Sequence, residues 1–203
     1  MRRTITAAAL VLPAVLLLTG TAQAQESTTR GFNLGFHLSG ASISPEDGDS
    51  SEGGGAGLTL GYGINRTVQL FLQLDGTAFD VDDAAIQGDW EMGHADLGVR
   101  FHFANSLRWW VPYLQAALSG RAVGVDDAVV QGQTERHDVS FAGGAFSLSG
   151  GILLYFNETL AADLQLIWSN GEFTEIEVEN VTISDLEIDA ETTRLNVGIS
   201  WWP

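Results

Sequence analysis

Apolar and polar residues alternate along eight stretches of the chain, and this alternation is the clearest pattern in the sequence. In the first stretch, Phe32, Leu34, Phe36 and Leu38 alternate with Gly, Asn and His residues. A period of two places such residues on opposite faces of a β-strand, and no stretch after residue 24 keeps the period of about 3.6 residues that an amphipathic helix needs. The pattern predicts an all-β protein with eight two-faced strands. The apolar faces of the other seven stretches contain Leu58, Leu60 and Tyr62; Val68, Leu70, Leu72 and Leu74; Ala95, Leu97, Val99 and Phe101; Trp110, Leu114, Ala116 and Leu118; Phe146, Leu148, Ile152 and Leu154; Leu160, Ala162, Leu164 and Leu166; and Leu195, Val197, Ile199 and Trp201.

The connections between these strands alternate between short and long. The short ones cover residues 64–67, 104–108 and 157–159, and the long ones cover residues 43–54, 80–89, 124–138 and 171–191. Transmembrane barrels of the bacterial outer membrane have short periplasmic turns, long extracellular loops and strands of about 9 to 11 residues that cross the bilayer. We therefore predict an eight-stranded antiparallel up-and-down transmembrane β-barrel with both termini on the short-turn side.

The first 24 residues have the organisation of a secretory signal peptide. Two arginines precede an apolar run over residues 5–18, and Ala22 and Ala24 form a small-residue cleavage site. The apolar run is shorter than the roughly 20 residues that a membrane-spanning helix requires. We expect cleavage after Ala24, which leaves residues 25–203 as one barrel domain that resides in the outer membrane.

The charge of the chain is strongly negative. The sequence has 26 acidic residues, nine Arg and no Lys, and most of the acidic residues lie in the predicted long loops. Such a surface repels nucleic acid, so we exclude a nucleic-acid partner. Without Cys the chain has no disulfides. The acidic clusters at residues 47–49 and 80–83 do not match the spacing of a calcium loop, so we predict no metal and no cofactor and interpret the loops as a solvated anionic surface. The alternative is that their clustered carboxylates bind Ca²⁺ or Mg²⁺.

The polar faces of the predicted strands indicate which side of the sheet contacts lipid. They contain mostly Gly, Ser, Thr, Asn and Gln, whereas the outer surface of a soluble barrel such as a lipocalin would be rich in Lys, Glu and Asp. Their acidic and basic residues are equal in number, as a closed interior requires, because buried charges must be paired. We predict that the apolar faces contact lipid and that the polar faces form a lumen network. The predicted members of this network are Asp75, Asp96, Arg100, Tyr113, Gln115, Arg121, Asp163 and Arg194.

Aromatic residues gather at both ends of the predicted strands, which is typical of the interfacial girdles of membrane barrels. On the short-turn side we expect Tyr62, Phe103, Trp109, Trp110, Phe156, Trp201 and Trp202. On the long-loop side we expect Phe79, Trp90, Phe141, Trp168 and Phe173.

Three segments resemble the small outer-membrane barrels of the OmpA and OmpX type. Residues 110–120 resemble the fifth-strand signature of that family, in which Pro112 and Tyr113 are followed by Gly120. Residues 150–164 are similar to the sixth strand, tight turn and seventh strand, and residues 195–201 resemble the final strand. The resemblance implies contact with outer-membrane lipid and folding by periplasmic chaperones and the barrel assembly machinery. The chain departs from the family at its end, where Pro203 follows Trp202.

Eight strands enclose an interior that side chains just fill, which favours a polar plug over a wide pore. His37, His94 and His102 lie on the same faces as the predicted network. The spacing of His37 and Ser39 is similar to the His-x-Ser of lipid A deacylases, which are also eight-stranded barrels. The pair occupies a different strand from that family's motif and has no evident acidic partner in the sequence. We therefore expect no enzymatic activity, with an acyl-chain hydrolase as an alternative.

The last long connection, residues 171–191, is itself patterned like a pair of strands. Apolar residues alternate with Glu and Asp on both sides of a predicted turn at Glu179 and Asn180. This predicts a protruding hairpin, with a break in the alternation near Asn170 and another before Leu195. An exposed strand edge can pair with a partner strand, and OmpX-type proteins are thought to use a similar protrusion in adhesion. We expect a role in envelope integrity or surface interaction through acidic extracellular loops, with an extracellular partner at residues 172–191. The alternative is a narrow channel for small or hydrophobic solutes, as in OmpW-type barrels.

Overall fold

The computed structural model describes residues 29–45, 50–80, 86–103, 109–130, 137–178 and 181–203. In these ranges the chain forms a closed antiparallel barrel in which each strand pairs with its neighbours in sequence and the first strand pairs with the last. Within the described ranges no helix has the length and apolar character needed to cross a bilayer. The strands are β1 (Gly31–Pro45), β2 (Ser51–Gly63), β3 (Val68–Asp80), β4 (Ile86–His102), β5 (Trp110–Val130), β6 (His137–Tyr155), β7 (Leu160–Val178) and β8 (Val181–Trp201).

The predicted two-faced character of the strands is confirmed. Large apolar side chains point away from the barrel axis, with Leu118 and Leu97 exposed by 73% and 66%, while their polar neighbours are buried inside. Because successive side chains of a strand point to opposite faces, one break in register would move a whole set of leucines into the interior. The outer surface is therefore a continuous apolar belt around a polar interior, which we call the lumen.

Two of the short turns are closed by an asparagine side chain. Asn157 Oδ1 accepts hydrogen bonds from the backbone N–H of Thr159 at 2.9 Å and of Leu160 at 2.8 Å. Asn65 Oδ1 accepts from Thr67 and Val68 in the same way. These contacts replace the backbone partners that a tight turn cannot supply. They hold the end of the barrel at which these turns lie, which we call the short-turn end.

The opposite end, which we call the hairpin end, differs from the sequence prediction in that the strands extend through most of the predicted long loops. β1 continues to Pro45 and β2 begins at Ser51, and β5 and β6 similarly replace most of residues 124–138. The prediction ended the strands where apolar alternation stops. A hairpin continues past that point because its backbone hydrogen bonds do not require an apolar face.

Several predictions concern residues outside the described ranges. The signal peptide and its cleavage site lie within residues 1–28, and the loop acids Glu46, Asp47, Asp49, Asp82 and Asp83 lie at 46–49 and 81–85. The predicted turn at residues 179–180 is also outside them. These statements remain predictions.

The hairpin of β7 and β8 is present, but its irregularity lies elsewhere than predicted. β7 keeps its alternation through Gly171 to Phe173, and the register shifts between Phe173 and Glu175. On β8 the matching shift lies between Ser184 and Ile188, and no shift separates Ile188 from Leu195. The change in apolar pattern before Leu195 therefore reflects passage from the projecting hairpin into the barrel and not a break in the strand.

Candidate functional site in the barrel lumen

Inward-facing positions of all eight strands supply the lumen. On β3 these are the odd-numbered residues from Gln69 to Thr77, and on β8 the even-numbered residues from Ala190 to Trp202. Most of them are polar and less than a tenth exposed. Every residue predicted for the lumen network points inward, so the alternation alone located them. What the alternation could not give is which of them meet.

The first cluster is centred on Arg194. Its guanidinium donates to Asp75 Oδ2 at 2.9 Å and to Asp96 Oδ2 at 2.7 Å, and all three side chains are almost completely buried. Asp75 is also contacted through its other oxygen by His37 Nε2, and Gln73 donates to Asp75 Oδ2 at 3.0 Å. One arginine of β8 thus joins two carboxylates of β3 and β4 across the lumen.

The second cluster is centred on Asp163 and lies nearer the short-turn end. Tyr113 donates to Asp163 Oδ1 at 2.6 Å, and Ser200 donates to Asp163 Oδ2 at 3.2 Å. Arg100 approaches Asp163 Oδ2 at 3.4 Å and donates to Gln115 Oε1 at 2.8 Å. The Arg100 guanidinium also lies 4.0 Å from the centre of the Tyr113 ring, so a cation–π contact fixes it between two strands.

Arg121 does not join either cluster. It donates to the backbone carbonyl of Ala190 at 2.9 Å, and its guanidinium lies 4.3 Å from the centre of the Phe173 ring. Among the described side chains no carboxylate lies within ion-pair distance of it. The register pairs Arg121 with His94 of β4, and neither register nor alternation shows which side chains meet across the lumen.

Three serines on neighbouring strands form a hydrogen-bonded row that the sequence reasoning did not identify. Ser147 of β6 lies between Ser119 of β5 and Ser169 of β7, with a hydroxyl separation of 2.7 Å to Ser169. Ser169 in turn accepts from Arg194 at 3.4 Å. Alternation places each serine inward, but their mutual contact depends on the register of β5, β6 and β7.

Apolar clusters lie at both ends of the lumen. At the short-turn end, Trp202 is 1% exposed and its ring packs against that of Tyr155 in a tilted arrangement, with a centroid separation of 5.5 Å. At the hairpin end, Met92, Val123, Phe173 and Ala190 pack together. We call these four residues the hairpin-end cluster. The partly buried side chains that pack against it are Ile43, Phe79, Trp90 and Phe141.

The apolar clusters at the two ends of the lumen correct the predicted aromatic girdles. Trp202 and Phe173 were expected at the membrane interface, but both side chains are buried in the lumen. Trp202 keeps the inward phase of Arg194 and Ser200, and Phe173 keeps that of Asp163, because neither strand changes phase before these residues. Phe79, Trp90 and Phe141 likewise pack against the hairpin-end cluster. The girdle on the short-turn side is outward at Tyr62, Phe103, Trp109, Phe156 and Trp201.

Gly57 leaves the room that the His37–Asp75 contact occupies. A Cβ atom at Gly57 would collide with His37 Nε2, with the carbonyl of Leu74 and with Asp75 Oδ1. Glycine in a strand often marks such a close approach. The glycine-rich second strand therefore makes space for polar side chains of its two neighbours, β1 and β3.

The arrangement is suited to packing and charge neutralisation. Asp75 contacts His37, so the expectation that this histidine has no acidic partner is wrong. Ser39 Oγ has no hydrogen-bond partner among the described residues, so the structure does not join the His-x-Ser pair. Within the described residues no group of three or more His, Cys, Asp or Glu side chains is arranged to hold a metal ion. The described side chains instead link the strands through the Arg194 and Asp163 clusters.

Comparison with known proteins gives a consistent result. The sequence profile described as the outer membrane protein β-barrel domain matches residues 11–201. No curated protein sequence matches the chain significantly.

Solved structures with a similar fold are outer-membrane or surface proteins. Neisserial surface protein A has a TM-score of 0.63 and 17% identity, over 84% of this chain and 96% of that chain. Ail, the attachment invasion locus protein of Yersinia pestis, has a TM-score of 0.54 and 12% identity, over 85% and 99%. OprG from Pseudomonas aeruginosa has a TM-score of 0.55 and 11% identity, over 88% and 98%. At these identities the similarity shows a common fold.

Proposed function

The chain belongs to the outer membrane protein β-barrel domain family, and from this premise we propose that it is a non-enzymatic surface-interaction protein of the outer membrane. In this proposal the closed barrel is an anchor and the projecting part of β5 to β8 is the binding surface. The observation that carries the proposal is that, in the part of the chain that the structure describes, no strand pairs with the upper part of β8 on its β1 side. The expected signal peptide over residues 1–24 is part of the same proposal.

The packing of the lumen supports the role of anchor. Arg100, Tyr113 and Asp163 meet across the interior, and Arg194 bridges two further strands. Apolar clusters lie above and below these contacts. A barrel of eight strands has little interior beyond its own side chains, so such packing leaves no wide aqueous path. We expect purified protein to give no steady conductance steps in planar bilayers, and such steps would favour the narrow-channel alternative.

The unequal height of the barrel wall supports the role in binding. The strands β5 to β8 have 19 to 21 residues, whereas β1 to β3 have 13 to 15. The described pairing between β1 and β8 reaches Pro45 and Ala190, and among the described residues no strand pairs with residues 181–189 of β8 on that side. We call this segment the β8 edge. Its free backbone groups can accept an added strand.

The charge of the projecting hairpin indicates the chemistry of the partner. Residues 172–191 contain eight acidic residues and no basic residue. Glu175, Glu177 and Asp189 are exposed. Like charges along an exposed strand edge also discourage pairing between copies of the same chain. The partner that fits is an extended, basic peptide segment of an extracellular protein.

Charge reversal on the hairpin tests the proposal. We expect Glu175→Lys combined with Asp189→Lys to abolish most of the binding of a labelled basic extended peptide by barrels in nanodiscs. The control is Glu158→Lys combined with Glu52→Lys, because both residues are exposed and lie away from the hairpin. The proposal predicts that the control keeps the affinity of the parent. Equal loss in both variants would show that overall charge, and not the β8 edge, attracts the peptide.

A further inference from the structure

A small polar cavity lies between the Arg194 and Asp163 clusters. Its volume is about 10 Å³, and it is lined by both clusters, through His37 on one side and Asp163 on the other. Thr59, Gln165 and Asn196 add further polar groups. A cavity needs roughly 10–15 Å³ of such volume to hold one water molecule. The cavity therefore has room for one molecule of the size of water.

The side chain of Asn196 indicates which hydrogen bonds a molecule in this cavity would make. Its side chain is 2% exposed, and neither Oδ1 nor Nδ2 has a hydrogen-bond partner in the protein. The free-energy cost of burying an amide without hydrogen-bond partners exceeds the net gain from a typical hydrogen bond. Native proteins therefore pair such groups with protein atoms or ordered water. A molecule in the cavity would therefore hydrogen-bond to the side-chain amide of Asn196 and lie against the carboxylate of Asp163, which lines the same cavity.

Gly35 keeps the space open. A Cβ atom at Gly35 would lie 3.2 Å from Thr59 Cβ and 3.4 Å from Ser200 Oγ, so it would fill part of the cavity. Gly40 lies on the same strand and faces outward, and a Cβ atom there meets nothing within 4 Å. The two positions thus form a matched pair, one inside the site and one outside it.

We propose that this cavity is a binding site for one ordered water molecule that links the two lumen clusters. Water fits because it both accepts from Nδ2 of Asn196 and donates to a carboxylate or amide oxygen, whereas a metal cation can only meet the oxygens. The bound water joins Asp163 to His37 and thereby connects the carboxylates of β3 and β7. The inference rests on the proposed closed lumen.

Nuclear magnetic resonance of the barrel in nanodiscs tests the site directly. We expect cross-peaks between a long-lived water and the side-chain amide protons of Asn196 in the parent and in Gly40→Ala. The same cross-peaks should be lost in Gly35→Ala. Their absence from the parent, or their persistence in a folded Gly35→Ala barrel, would overturn the proposal.

A salt titration of the parent protein tests the site without relying on the Gly35→Ala variant. Replacing sodium by N-methylglucamine should leave the cross-peaks of Asn196 unchanged, because the bound molecule is water. A saturable sodium dependence of the Asn196 shifts would overturn the proposal in favour of a cation. Conductance is measured separately, so a barrel that conducts but retains the long-lived water would contradict the closed lumen and not this site.

Discussion

Arg194 donates to Asp75 at 2.9 Å inside the barrel, although 119 positions separate the two residues in the chain. Asp96 accepts from the same guanidinium at 2.7 Å, so one side chain of β8 neutralises carboxylates of two other strands. These strands do not neighbour β8 in the sheet. The contact therefore ties opposite walls of the barrel together, which the backbone hydrogen bonds of the sheet do not.

Replacing Arg194 by Met should be strongly destabilising. Removal of the guanidinium leaves two buried carboxylates without a cation, and breaking a buried pair in this way costs about 3–5 kcal/mol. Urea unfolding of the barrel in lipid vesicles measures the effect. The control is Arg30→Met, because Arg30 is exposed. A loss below about 1 kcal/mol for Arg194→Met, typical of an exposed ion pair, would contradict the assigned role.

Gly57→Ala should destabilise the barrel through overpacking. The added methyl group collides with His37, Leu74 and Asp75, and inserting a methyl group into a packed interior costs about 1–3 kcal/mol. Gly76→Ala is the matched control, because a Cβ atom at Gly76 meets nothing within 4 Å. The same urea experiment should show the control close to the parent. Equal effects at both glycines would mean that backbone freedom, and not space, is what Gly57 supplies.

Trp202→Ala should destabilise the short-turn end. Trp202 is 1% exposed and packs with Val111, Leu153 and Tyr155 inside the lumen, and removing a buried Trp costs about 3–5 kcal/mol. Trp201 is its neighbour but is 46% exposed on the outer surface, so Trp201→Ala should cost less. The comparison is made on refolded protein, by urea titration. If Trp201→Ala is the more damaging of the two, the inward position of Trp202 is wrong.

Asn157→Ala should weaken the turn between β6 and β7 by about 1 kcal/mol, because Asn157 Oδ1 accepts the backbone N–H groups of Thr159 and Leu160. Asn157→Asp keeps an acceptor oxygen and should retain most of the stability. Thermal unfolding, followed by the mobility shift of unheated protein on gels, compares the two variants with the parent. Identical loss in both would show that the amide group, and not the acceptor, stabilises the turn.

The fold was predictable because a strand period of two is a local property of the sequence. Leu118 and Ser119 reveal their opposite faces without any knowledge of their neighbours. Contacts across the lumen are not local, since they depend on strand tilt and on registers that accumulate around the barrel. The sequence therefore predicts that Arg121 points inward, but it could not show that its guanidinium contacts the Phe173 ring and the Ala190 carbonyl.

The aromatic positions show a second limit of local reasoning. Composition favoured an interfacial place for Trp202 and Phe173, because aromatic residues are common in membrane girdles. The alternation of each strand, continued to its end, places both side chains in the interior of the barrel. For β8 this phase was available from the sequence, whereas for β7 it required knowing that the bulge lies beyond Phe173. The phase of a strand is thus the stronger guide when it conflicts with residue type.

Cysteine accessibility at residues 118 and 119 tests the central claim, that the apolar face contacts lipid and the polar face is closed inside. The sequence has no Cys, so single variants carry one thiol each. In vesicles, Leu118→Cys should react with a membrane-soluble maleimide and not with a charged one, while Ser119→Cys should react with neither until the barrel is unfolded. Modification of Ser119→Cys by the membrane-soluble reagent, with Leu118→Cys protected from both, would contradict the account.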